Sequence, residues 1–113
     1  MITVEDFFKV EMRVGKVVEA IEVEKSEKLI RLRVDFKDEE RIIFTGVRTY
    51  GYEAKDFQDK KFLFVVNLEY KKIMEEESQG MILAVDGDPA SAGQASRPIF
   101  ISAEGMPVGA KVR

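Results

Sequence analysis

Residues 29–36 constrain the fold more than any other stretch of the chain. Ile30, Leu32, Val34 and Phe36 alternate there with Leu29, Arg31, Arg33 and Asp35. A period of two over eight residues is the signature of a strand with one buried and one polar face. Residues 37–40 form a charged hairpin loop, and residues 41–45, rich in branched and aromatic side chains, return as the next strand. Upstream, residues 12–23 are rich in Val and Ile and read as the first strand, with Gly15 placed for a bulge or bend. Thr3 followed by Asp6 resembles a helix cap, so a short entry helix is expected over residues 4–10, with Phe7 and Phe8 turned inward.

The pattern breaks at residues 46–51. Residues 52–57 read as a short helical or irregular piece, followed by a charged turn at Asp59, Lys60 and Lys61. Residues 62–68 make a fourth strand, continuously apolar up to Asn67 and so covered on both faces. Residues 81–85 are the fifth. Residues 86–98, rich in Gly, Pro, Ala and Ser, read as a flexible loop, and residues 99–113 as a C-terminal extension with extended pieces at 99–101 and 108–112. There is no internal repeat, and residues 1–113 read as a single domain. Three strands, a small helical element and two more strands predict an all-β fold, a five-stranded OB-fold barrel with a short helix and a C-terminal extension. That architecture binds oligonucleotides or oligosaccharides on its open face.

Composition narrows the chemistry. The chain has no Cys, no His and, among its 11 aromatics, no Trp. Thiol nucleophiles, disulfides, His/Cys zinc sites and imidazole bases are thereby excluded, and neither a cofactor nor a metal site is expected. Glu75, Glu76 and Glu77 read as a solvated loop rather than a metal or acid–base cluster. Asp86-Gly87-Asp88 opens like a calcium loop, but no glutamate closes it. An enzymatic role is therefore not expected. The longest continuous apolar run, residues 62–66, is far short of the roughly 20 residues that span a bilayer. The N-terminus carries acidic residues where a secretory signal needs basic ones. No membrane partner is expected, and the cytoplasm is the expected location.

The formal net charge of −3 argues at first against a nucleic-acid partner. Its distribution changes that reading. Up to Met74 the acidic and basic residues balance, and the whole deficit lies beyond, where Glu75 to Glu77 alone match it. The candidate binding run lies just there, at residues 67–81 (NLEYKKIMEEESQGM). Lys71 and Lys72 offer phosphate-pairing cations, and Asn67, Ser78 and Gln79 offer neutral donors. Gly80 either lets a backbone approach a ligand or serves its own backbone angle, and Met81 supplies an apolar contact for a sugar or base. The alternative is an ordinary loop between the fourth and fifth strands.

Ordered pieces carry a resemblance: Asp6-Phe7, Arg13-Val14-Gly15-Lys16-Val17, Lys28-Leu29, Val34-Asp35, Gly46, Asn67-Leu68, Lys72 and Met74, then the stretch Glu77 to Ala84, and finally Pro107-Val108-Gly109. Together they resemble the tRNA-binding domain family, found at the C-terminus of many methionyl-tRNA synthetases and in stand-alone structure-specific tRNA-binding proteins. The resemblance implies an OB-fold that holds the outer corner of folded tRNA by shape, and it puts Asn67, Ser78 and Met81 at tRNA-contact motifs, with Lys28 and Lys72 as backbone-binding cations. Charge and strand facing add Lys71 and Arg33, whereas Arg31 reads as solubilising. The chain departs from the family pattern at Tyr70, where relatives often have Pro, and at Glu75, where Gly is common. The resemblance further implies a non-catalytic homodimer that serves a methionyl-tRNA synthetase as cofactor or trans-acting appendage. The acidic triplet and low pI keep open an alternative, a protein–protein adaptor or chaperone-like module with little RNA affinity.

Overall fold

The structure is a computed structural model and describes residues 1–88 and 96–113. A single helical turn, α1 (Val4–Phe7), opens the chain and is capped by Thr3, whose hydroxyl accepts from the Asp6 N–H in a reciprocal box. The long strand β1 (Met12–Glu22) follows, then β2 (Ile30–Asp35), β3 (Glu40–Thr45), two short 3-10 turns (Arg48–Tyr50 and Ala54–Asp56) and β4 (Lys61–Val65). The C-terminal part holds β5 (Lys71–Ile73), β6 (Glu76–Ser78), β7 (Met81–Ile82), β8 (Ala84–Asp86) and β9 (Pro98–Phe100). The central antiparallel sheet runs β3-β2-β1-β4-β7, and β5–β6 and β8–β9 are separate hairpins. The result is the expected all-β, nearly closed, five-stranded OB-like barrel.

The alternation that identified β2 is realised in full: Ile30, Leu32, Val34 and Phe36 are fully buried, together with Val17, Ile43, Phe57 and Phe64. The Phe36 and Phe64 rings meet edge-on at 5.5 Å, and Phe57, Phe62, Phe100 and Tyr52 pack in a second aromatic group. Burying one such side chain stabilises the fold by about 1.5–3 kcal/mol, so these rings hold the sheet in its curved form.

Gly15 is needed for a different reason from the one its sequence context suggested. The β1–β2 register shifts between Val17 and Glu19, so the bulge falls at Val18. The Gln58 side chain fills the gap it leaves, accepting from Ala20 N–H and donating to Val18 C=O, both at 2.9 Å. Gly15 itself lies under the core: a Cβ there would come within 2.5 Å of Val34, 2.8 Å of Phe36 and 2.9 Å of Phe64.

Other expectations are corrected. Phe7 and Phe8 are 41% and 52% exposed, because a one-turn helix projects them away from the barrel without a surface beneath them. The fourth strand ends at Val65, and the fifth is split: β7 pairs with β4, whereas β8 pairs with β9. Within residues 86–98, read as a loop, Asp86 faces Pro98 and the Gly87 N–H donates to Arg97 C=O at 3.0 Å. Residues 89–95 of that loop lie outside the described residues. The C-terminal extension is tied back to the barrel by Arg13, which donates to the carbonyls of Gly109 and Phe36 at 3.0 Å each. No helix among the described residues is long and apolar enough to cross a membrane.

Candidate nucleic-acid interface

Residues 71–78 are not a loop. Lys71 faces Ser78, Lys72 faces Glu77 and Ile73 faces Glu76 across the β5–β6 hairpin, and Met74 adopts φ 57° at its tip. Five of these six paired residues are polar or charged, which is why a hydrophobic pattern does not reveal the hairpin. The hairpin is docked onto the barrel by Arg31, whose Nε and Nη2 donate to the two oxygens of Glu76 at 2.7 and 2.9 Å. The hydrogen bond from Arg31 holds the Glu76 carboxyl below its ordinary range. Arg31 therefore anchors the hairpin rather than merely solubilising β2.

Alternation along the hairpin divides its two lysines. Lys71 and Ile73 turn toward the barrel and line a cleft of about 520 Å³, whose other walls are Lys28, Leu29, Phe44, Gly46, Leu68, Glu69, Ser78, Gly80 and Met81. Lys72 is on the opposite face with Glu77 and does not line this cleft. The cleft is apolar in the middle, where Leu68 and Met81 are 45% and 46% exposed, and carries cations at Lys28 and Lys71. Among the described residues, none of Lys28, Lys71 and Lys72 has a carboxylate within salt-bridge distance.

The cleft thus gathers Lys28, Lys71, Ser78, Gly80 and Met81 from the sequence-derived set. Lys72 points away from the cleft, and Arg33, Asn67 and Gln79 are engaged elsewhere. Arg33 is paired with Glu40 at 2.9 Å and lies near Glu19, outside the cleft. Asn67 clasps the entry segment, accepting from Glu11 N–H at 2.7 Å and donating to Lys9 C=O at 2.6 Å. Gln79 closes the barrel. Its N–H donates to Ile42 C=O at 2.8 Å, and its Oε1 accepts from Ile42 N–H at 2.9 Å.

Ser78 extends that seam, its buried hydroxyl accepting from Phe44 N–H at 3.0 Å. Arg41 completes it by donating to the carbonyls of Gln79 and Val66. Strands β3 and β7 are the two edges of the sheet, so these bonds stand in for the ladder that would otherwise be missing between them. Gly80 is required by the same contact: a Cβ would lie 2.7 Å from the Val65 carbonyl oxygen, and its φ is not in the left-handed region. Sequence reading did not place Leu29, Phe44, Gly46, Leu68, Glu69 or Ile73 at the site. Phe44 faces Arg31 across β2 and β3, on the side that looked polar in β2, and Leu29 and Leu68 lie just outside the strands, so alternation did not mark them.

Comparison with known proteins decides what class of domain this is. Residues 12–111 match the family model described as "Putative tRNA binding domain". The chain belongs to this family. It is 43% identical over 83 residues to a methionine–tRNA ligase of Bacillus cereus, an alignment covering 74% of the chain and 12% of that enzyme. The chain spans 12–16% of the length of the methionine–tRNA ligases it matches. Among solved structures, the MetRS-related protein from Pyrococcus horikoshii superposes with TM-score 0.84 at 38% identity, covering all of this chain and 98% of that one. The chaperone CsaA from Bacillus anthracis superposes with TM-score 0.77 at 25% identity, covering all of this chain and 99% of that one. The tRNA-binding domain is thus related to the C-terminal part of methionyl-tRNA synthetases and to CsaA-type proteins.

Proposed function

We propose that the chain binds folded tRNA without catalysis, gripping the outer corner by shape and serving a methionyl-tRNA synthetase in the cytoplasm as cofactor or trans-acting appendage. The observation that carries this reading is the cleft between β2, β3 and the β5–β6 hairpin, apolar inside and edged by the unpaired cations Lys28 and Lys71, in a domain of the tRNA-binding family. Phosphates meet the lysines, while the apolar floor accepts sugar or base surface. Lys72, on the other face of the hairpin, reaches a neighbouring phosphate of the same backbone. In this reading Ser78 and Gln79 act on tRNA by closing the barrel beside the cleft, Asn67 holds the entry segment, and Arg33 contributes no contact.

A homodimer is part of the proposal. Phe7, Phe8 and Val10 are exposed around α1, and Phe8, Val10 and Val112 line a second cleft together with Glu11, Asn67, Lys111 and Arg113; these exposed apolar side chains are the candidate contact for a second copy. Titration of labelled folded tRNA, followed by anisotropy across a salt series, tests the binding. Affinity should fall with salt with a log–log slope of roughly −0.7 to −0.9 per phosphate contacted. Absence of a complex at low salt refutes the reading. Sedimentation equilibrium tests the dimer.

The likeness to a chaperone supports a second reading, in which the same cleft holds an apolar peptide segment as an adaptor or chaperone would. Binding of unfolded protein after nuclease treatment, with no affinity for tRNA, would favour it.

A further inference from the structure

The cleft carries more than a patch for phosphates. Its volume of about 520 Å³ lies within the roughly 300–1,000 Å³ of pockets that enclose small organic groups. A duplex backbone presents no group that would fill an apolar hollow of this kind, because its bases are stacked and paired. A base turned out of the stack does. The half-exposed side chains of Leu68 and Met81 and the half-buried ring of Phe44 line it together, and Lys28 and Lys71 in the same wall supply cations for the attached phosphates. Glu69 is the remaining polar wall. A carboxylate repels phosphate but accepts from an exocyclic amine on a base edge.

Resting on the tRNA-binding reading, we propose that this cleft receives one unstacked nucleobase of the bound RNA, with Glu69 selecting a base that carries an amino group. Grip by shape is thereby supplemented by a single-base anchor. Two kinds of contact then contribute to affinity, and salt separates them. The phosphate contacts release counterions, whereas base insertion between apolar side chains does not.

The test titrates labelled folded tRNA across a salt series with the unaltered chain, with the double variant Leu68→Ala/Met81→Ala, and with Lys71→Ala. Leu68 and Met81 are half-exposed, so thermal melting should show the double variant folded. Its affinity should fall about tenfold at every salt concentration with the slope unchanged, as for loss of one base-stacking contact. Lys71→Ala should instead make the slope shallower by roughly 0.7–0.9. In a second arm, AMP, CMP or GMP should shift the methyl signals of Leu68 and Met81, with UMP weaker and inorganic phosphate inactive. Glu69→Gln should remove the preference for amino-bearing bases.

A double variant that binds tRNA like the parent overturns the proposal while leaving tRNA binding intact. Methyl signals that respond to an apolar peptide but to no mononucleotide overturn it in favour of a protein ligand. Failure of the unaltered chain to bind tRNA at low salt overturns both readings together.

Discussion

Ser78→Ala separates a structural from a ligand-binding role for one of the residues that the family resemblance puts at a tRNA-contact motif. In the fold its hydroxyl is buried and accepts from the Phe44 N–H at 3.0 Å. Truncation leaves that N–H without its side-chain partner at the barrel seam, beside the Ile42–Gln79 bonds. A buried donor left unsatisfied costs about 1–3 kcal/mol. For a domain of this size that corresponds to a fall in Tm of roughly 5–15 °C. The assay is a pair of measurements on one preparation: thermal melting by circular dichroism, and tRNA anisotropy well below the variant's Tm. The expected result is a clear loss of stability with tRNA affinity and salt slope close to the parent's. An unchanged Tm with affinity lost would refute the reasoning, because the hydroxyl would then face the ligand and not the seam.

Three further outcomes are expected. Gly15→Ala forces a methyl group to within 2.5–2.9 Å of three core side chains and should destabilise by at least about 1–3 kcal/mol in urea titration, whereas Gly46→Ala, whose nearest neighbour is the Lys28 stem at 3.9 Å, should melt like the parent. Arg33→Ala should leave the salt slope of tRNA binding unchanged, since Glu40 and Glu19 already neutralise the guanidinium; a shallower slope would show that the arginine reaches phosphate. The carboxyls of Glu76, Glu39 and Asp38 are held below their ordinary values by hydrogen bonds from Arg31, Arg41 and Arg13 respectively. Their contribution is therefore fully present above the ordinary carboxylate range of about 4 and is lost as pH falls through the lowered values. The urea midpoint should hold steady from neutral pH to about 5 and drop below 4, modestly because these pairs are exposed.

The barrel was legible because its strands are ordinary ones. Strand β2 shows strict alternation, β4 shows continuous apolar sequence, and both follow from which faces water touches. The β5–β6 hairpin was not legible, since its pairs are Lys with Ser, Lys with Glu and Ile with Glu, and its place is set by the long-range pair of Arg31 with Glu76. The candidate site shows the same division. Lys71 and Met81 could be named from residue type and Lys28 from the family resemblance, but the roles of Asn67, Ser78 and Gln79 could not, because an exposed polar donor and a side chain that completes a backbone ladder look alike in sequence. Phe44 and Leu68 gave no sign of the cleft, because Phe44 shares the side of Arg31 and Leu68 lies just outside β4.

The structure also bears on the conflict between an acidic chain and the polyanionic partner proposed for it. The three glutamates that equal the net charge of −3 in size do not act together. Glu76 is bound bidentately by Arg31, Glu77 lies opposite Lys72 on the outer face of the hairpin, and Glu75 is at the turn. None of the three lines the cleft that holds Lys28 and Lys71. Glu77 shares the face of Lys72, away from the cleft, and the charge of Glu76 is offset by the Arg31 guanidinium. Glu69 is the only carboxylate in the cleft wall, and it is there as a single acceptor among lysines and apolar groups. A net charge counts residues without regard to direction, whereas a two-stranded ribbon turns alternate residues to opposite faces. An acidic chain can in this way present a cationic cleft.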